Sequence, residues 1–197
     1  MKKFTFLLSL VIALQAMNVQ CQQTDAEVVN FTAVLSSVLN LNITAGDNQT
    51  ATFDTPDKYN LGIDAVGVTT VTMESTANWK LEINAADFLN GTATIPINNL
   101  GVWCEATGAH QIGAEVVCSN TTLATSLGVT SADQLLLDNG SGNSGDAADN
   151  TFNLNWTMGT MQGTMNTASI FQQLSDGTIA NLGTFTTTVN LTLTALP

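Results

Sequence analysis

The sequence predicts an all-β fold: an antiparallel two-sheet sandwich, immunoglobulin-like or Greek-key, with one or two short helical turns in its loops. Three observations carry that expectation. Apolar and polar residues alternate with period two in several short stretches. Turn-forming segments such as AGDNQ, TPDKYNLG and LNGT separate those stretches. Charged residues make up only 10% of the chain while Thr and Asn are abundant, as suits strands wet on one face.

The chain opens with MKKFTFLLSLVIALQAMNVQC. Lys2 and Lys3 precede an apolar run from Phe4 to Ala13, and polar residues follow. This is the pattern of a secretory signal peptide over residues 1–21, cleaved before Gln22. The run is too short to span a bilayer. Lipidation at Cys21 is the alternative, and Gln20 fits poorly before it. Residues 22–197 suit a single domain by length.

The strands follow in order. Glu27 to Leu35 is a candidate. VLNLNIT points Leu39, Leu41 and Ile43 one way. Thr50 to Asp54 and Val68 to Ser75 are further candidates. NWKLEIN puts Trp79, Leu81 and Ile83 inward, with Lys80 and Glu82 outward. Thr94 to Trp103 is another. TFNLNWTM turns Phe152, Leu154, Trp156 and Met158 inward. FTTTVNLTLTA, Phe185 to Ala195, alternates most clearly. Helical turns are expected at Ser131 to Leu137 and at Ala168 to Leu174, where Ile170, Phe171 and Leu174 share a face. Asp138 to Asn150, DNGSGNSGDAADN, reads as an exposed, mobile loop.

Charge excludes some partners. Removing the leader leaves Lys58 and Lys80 against sixteen acids, a net charge of −14, and the chain has no arginine. Nucleic acid and anionic membrane surfaces need cations that this chain lacks. No apolar segment long enough for a transmembrane anchor follows the leader.

The residues with chemical potential are few. Cys104 and Cys118 remain after export, and an even count in an oxidising compartment predicts a disulfide. His110, the only histidine, lies between them. It reads as a polar loop residue, against a thiol–histidine nucleophile or a zinc site with both cysteines, whose spacing is unlike the short-paired zinc patterns. Asp138, Asn143, Asp146 and Asp149 supply hard oxygens of the kind calcium takes, although their spacing is not that of an EF-hand. Met158, Met161 and Met165 could hold Cu(I), but core packing is the favoured reading. Trp103, at a strand end beside Cys104, is the tryptophan expected to touch a ligand. One histidine leaves no Ser-His-Asp set in view, so no catalytic residue is assigned.

ATFDTPDKYNLGI followed by VTTVTMESTANWKLEINA, then TIPINNLGV, then GTFTTTVNLTLTA, resembles secreted β-sandwich surface proteins of Gram-negative bacteria. These are distantly similar to pilin-like spore-coat-type and WxL-type domains. The resemblance covers roughly residues 49–102 and 183–196. It implies an exported, surface- or fibre-associated, non-enzymatic domain. Pilins of this kind lack a strand that a neighbour donates. Here the last strand is intact. Thr24 to Leu35 is expected to pair within its own domain, with donation to a neighbour as the alternative.

The functional expectation is a non-enzymatic, exported cell-surface structural or adhesive protein, extracellular or periplasmic, in the manner of a fibre subunit. Its partners would be itself or other surface proteins. The alternative is a carbohydrate- or calcium-dependent binding module.

Overall fold

The computed structural model describes residues 31–197. The predicted signal peptide, Cys21 and the first half of the Glu27–Leu35 candidate lie outside them. The chain divides into Met1–Leu35 and Ser36–Pro197. Phe31–Leu35 carry no strand and expose their side chains. Among the described residues no helix is long and apolar enough to cross a membrane.

Ser36–Pro197 is the expected antiparallel sandwich. The strands are β1 (Leu39–Ala45), β2 (Ile63–Ser75), β3 (Trp79–Ala85), β4 (Phe88–Asn90), β5 (Ala93–Ile95), β6 (Leu100–Ala106), β7 (Val116–Val117), β8 (Leu127–Gly128), β9 (Gln134–Asn139), β10 (Thr151–Met158) and β11 (Val189–Ala195). One sheet has the order β1-β2-β10-β6-β8 and the other β11-β3-β9-β7, with β4 and β5 a separate hairpin. Two short helices, α1 (Pro56–Leu61) and α2 (Ile170–Ser175), sit in connections.

Alternation builds the core. Val71 and Met73 of β2, Val102 and Cys104 of β6, and Phe152 and Leu154 of β10 face Trp79, Leu81 and Ile83 of β3, all buried. Trp79 and Phe152 meet across the sheets edge to face, with ring centroids 6.1 Å apart. Burying each large side chain contributes about 1.5–3 kcal/mol. A second apolar cluster joins Ile95, Met158, Ile170 and Ile179.

Several expectations need correction. Ser131–Leu137 is not helical, because Gln134–Asn139 is strand β9. Leu81 pairs with Leu137 but Glu82 with Leu135, so a bulge at Leu136 turns Leu136 and Leu137 both inward. The bulge erases the period-two signal and leaves an apolar run that mimics a helix. Thr50–Asp54 is not a strand either. The Gln49 side chain donates to the carbonyls of Gly46 and Val68, both at 3.0 Å, and takes the place of a ladder there. Gly67 makes room for it, since a Cβ would overlap Gln49 Oε1. TPDKYNLG, expected as a turn, forms α1, with Thr55 as cap and Pro56 at its start. Thr94–Trp103 is broken after β5 by Pro96 and a 3-10 turn at Ile97–Asn99. β11 begins only at Val189, and Thr186 instead pairs with Leu89 of the hairpin. In α2 the packed face is Ile170, Gln173 and Leu174, while Phe171 is exposed.

The Asp138–Asn150 segment is anchored, contrary to expectation. Asn143 is fully buried against the start of β3. Its Oδ1 accepts from the Trp79 backbone N–H at 2.9 Å, and its Nδ2 donates to the Trp79 carbonyl at 2.8 Å. The Trp79 indole N–H donates to the Asn143 carbonyl at 2.6 Å. Gly145 bridges to Ser75. An amide fitted to both the N–H and the C=O of one residue behaves as an inserted strand residue. Replacing it leaves two backbone groups buried without partners, at about 1–3 kcal/mol each. Asn143→Ala is therefore expected to lower the unfolding free energy by about 2–5 kcal/mol in a denaturant titration. Ser144→Ala next to it, at an exposed side chain, should change it by less than about 0.5 kcal/mol.

Candidate functional site

The sandwich is open along one side. β1 ends one sheet and β11 ends the other, and the two strands lie against each other across that opening. The inner face of β1 follows from its register: Leu39, Leu41 and Ile43 stand opposite Ser75, Met73 and Val71. Leu39 and Ile43 are nonetheless 42% and 45% exposed. On β11 the inward Val189, Leu191 and Leu193 are only half-buried. Neither LNLNITA nor VNLTLTA contains a charge or a proline. Charge and proline, two of the devices that blunt a free strand edge, are thus missing from both, and only the register shift between Ile43 and Ala45 interrupts β1. Seven residues at about 3.3 Å each give an edge of about 23 Å.

Two hollows lie at one end of this seam. The smaller, about 380 Å³, is bounded by Ile43, Trp156, Val189 and Leu191 among others. The larger, about 560 Å³, sits under the 46–55 segment, between α2 and the 181–187 chain. Gln49, Phe88 and Met158 line both. Sequence reasoning missed this region. The alternating burial of Ala51 and Phe53 was visible as a pattern, but it belongs to the cleft wall and not to a ladder.

The loop between the cysteines folds onto the Asp-rich segment. Thr107 and Gly108 donate to the Thr151 carbonyl, Ala109 to that of Ala148, and His110 to that of Asp149. His110 Nδ1 lies 2.9 Å from Oδ1 of the buried Asn150. Glu115 accepts from the Gln111 backbone N–H at 3.0 Å. That bond, with its own N–H and the His110 charge, holds its carboxyl below the usual range. His110 is thus a fastening between two loops.

Cys104, on the inner face of β6, and Cys118, just past β7, meet as a thiol pair. This contact holds the Cys118 thiol below its ordinary value, and with burial it pushes Cys104 well above. The two sulfurs are therefore neighbours, as a disulfide requires.

The candidate calcium quartet is not gathered. Asn143 Oδ1 is committed to Trp79. Asp146 accepts from the backbones of Ala148 and Asp149, and Asp149 accepts from that of Asp146, so the two close a turn on themselves. Asp138 accepts from the Asn139 N–H. Among the described residues no three His, Cys, Asp or Glu side chains could hold a metal ion, which also leaves Cys104, His110 and Cys118 without a zinc geometry. The methionines are dispersed. Met158 belongs to the second cluster, while Met165 packs over Gly101 and accepts from the Thr160 hydroxyl at 3.3 Å. Trp103 is half-buried on the outer face of its sheet, opposite Asn155 and in a row with the 41%-exposed Val68.

No protein-family model matches the chain, and no curated protein matches it.

The thiol pair gives a direct expectation. Isolated from an oxidising compartment without reductant, the protein should resist alkylation and carry a Cys104–Cys118 bond, worth about 3 kcal/mol in the loop-entropy account. After reduction, iodoacetamide at neutral pH should label Cys118 before Cys104, because thiolate reacts and Cys118 ionises first. Peptide mapping by mass spectrometry reads both.

Proposed function

We propose that the protein is an exported, non-enzymatic structural component of the cell surface that associates with further copies of itself along the β1–β11 seam. The observation that carries this is the pair of uncharged, proline-free edge strands flanking an apolar opening. A strand laid in the seam would gain backbone hydrogen bonds from an edge and cover Leu39, Ile43 and Leu191. The occupant this reading favours is the Glu27–Leu35 segment of another copy. Its Val29, Phe31, Ala33 and Leu35 alternate with Asn30, Thr32 and Val34, and Phe31 and Leu35 are over 90% exposed. The leader, the low charge and the Thr-rich faces are consistent with export and with a wet outer surface.

Trp103 favours a second role in the same class of protein, contact with a neutral glycan. A half-exposed indole in a flat row of small polar and apolar side chains offers a stacking face.

Electron microscopy and gel filtration of the mature chain at rising concentration test the first reading. Fibres or a ladder of oligomers are expected, and Ile43→Lys, which puts a cation in the seam, should abolish them without unfolding the monomer. Monodisperse monomers at every salt and calcium concentration would overturn it. On a glycan array, Trp103→Ala should lose whatever binding the native chain shows. Unchanged binding would remove the tryptophan from the account.

A further inference from the structure

We infer that the larger cavity, under the 46–55 segment, is a binding site for an uncharged, largely apolar, ring-bearing small molecule. Its volume of about 560 Å³ falls in the range of about 300–1,000 Å³ that ligand sites occupy. One wall is the second hydrophobic cluster, and the other is made by the polar 48–52 and 181–187 segments, which leave the hollow open to solvent on one side.

The side chains around it define the chemistry. Phe53, Tyr59, Phe88 and Phe185 line it, four of the ten aromatic residues in 31–197. Phe53 and Tyr59 hold each other at a centroid distance of 5.5 Å and an angle of 49°. Ile170 and Ile179 form the buried floor. The polar atoms come from amides and hydroxyls at the rim, among them Gln49, Asn181 and Thr184. Among the described residues no charged side chain lines this cavity, in a chain of net charge −12 with fourteen acids in its described part. An anionic ligand would meet no cation and a repelling outer field, and a cationic ligand would find no carboxylate inside. A neutral molecule loses least on entering. Four aromatic faces favour a ring in it, and the rim suits one hydrogen-bonding end.

This inference does not depend on self-association, and the two fail in different ways. The probe is N-phenyl-1-naphthylamine, a neutral ring compound that fluoresces on leaving water, titrated into the dilute mature protein. A saturable enhancement is expected. Ala51→Trp and Thr184→Trp fill the cavity from opposite rims, at positions in no strand or helix. Each should weaken binding by about tenfold or more, while circular dichroism melting stays near that of the native chain. Val68→Lys on the outer face should bind as before. The anionic analogue 8-anilinonaphthalene-1-sulfonate should bind at least about tenfold more weakly. No saturable enhancement, or an enhancement indifferent to both tryptophans, overturns the proposal. Equal binding of the anion does so too. An enhancement that vanishes as the protein associates would assign the cavity to a second copy and likewise overturn it.

Discussion

Asn143 and Trp79 tie the two halves of the sandwich together. One side-chain amide pairs with both the N–H and the C=O of Trp79, and the indole returns a hydrogen bond to the Asn143 backbone. Trp79 begins β3, the strand that carries β11 on one side and β9 on the other. Asn143 lies in the crossing from β9 to β10, which moves the chain from one sheet to the other. With Trp79 set, its ring meets Phe152 at the middle of the core. With the crossing set, Asn150 can accept from Met73 and present its side chain to His110, and the cysteine loop closes over the end of the sheet. The same residue pair therefore supports the core packing and the loop arrangement beside the thiols.

Much of the fold is legible because alternation reports directly on which face a side chain takes. β3 from Trp79 to Ile83 and β10 from Phe152 to Trp156 read out correctly, and the alternation ends at the buried Thr157. Several of the failures share one source, which is a partner distant in sequence. The bulge in β9 exists only opposite Leu81 and Glu82. The alternating Ala51 and Phe53 needed Gln49 and the 181–187 chain to show that they bound a cleft. DNGSGNSG has the composition of a solvated loop, and nothing local marks Asn143 as the buried one. Of the site residues named from sequence, Cys104 and Cys118 come together, whereas the calcium quartet does not, since acids close in sequence satisfied one another's backbone.

The open seam and the hollow at its end are two expressions of one topological fact. β1 and β11 belong to different sheets and close neither. Along the strands this leaves hydrogen-bonding edges, which suit an extended chain. At the end, where the hairpin β4–β5 and α2 pull away from the sheets, it leaves volume, which suits a compact molecule. The buried pair Asn99 and Gln173, each donating its amide to the other at 3.0 and 2.7 Å, anchors α2 at that distance.

The fastenings described for this protein are almost all neutral: Asn143 to Trp79, Asn99 to Gln173, Gln49 to Gly46 and Val68. Both lysines of the described chain make surface ion pairs, Lys58 with Asp54 and Lys80 with Glu82, which contribute little. Amides do not titrate and salt does not screen them. A chain held in this way loses little of its internal architecture to brine, whereas acid acts on it through the carboxylates that close its turns, such as Glu115, Asp146 and Asp149, whose backbone hydrogen bonds weaken on protonation.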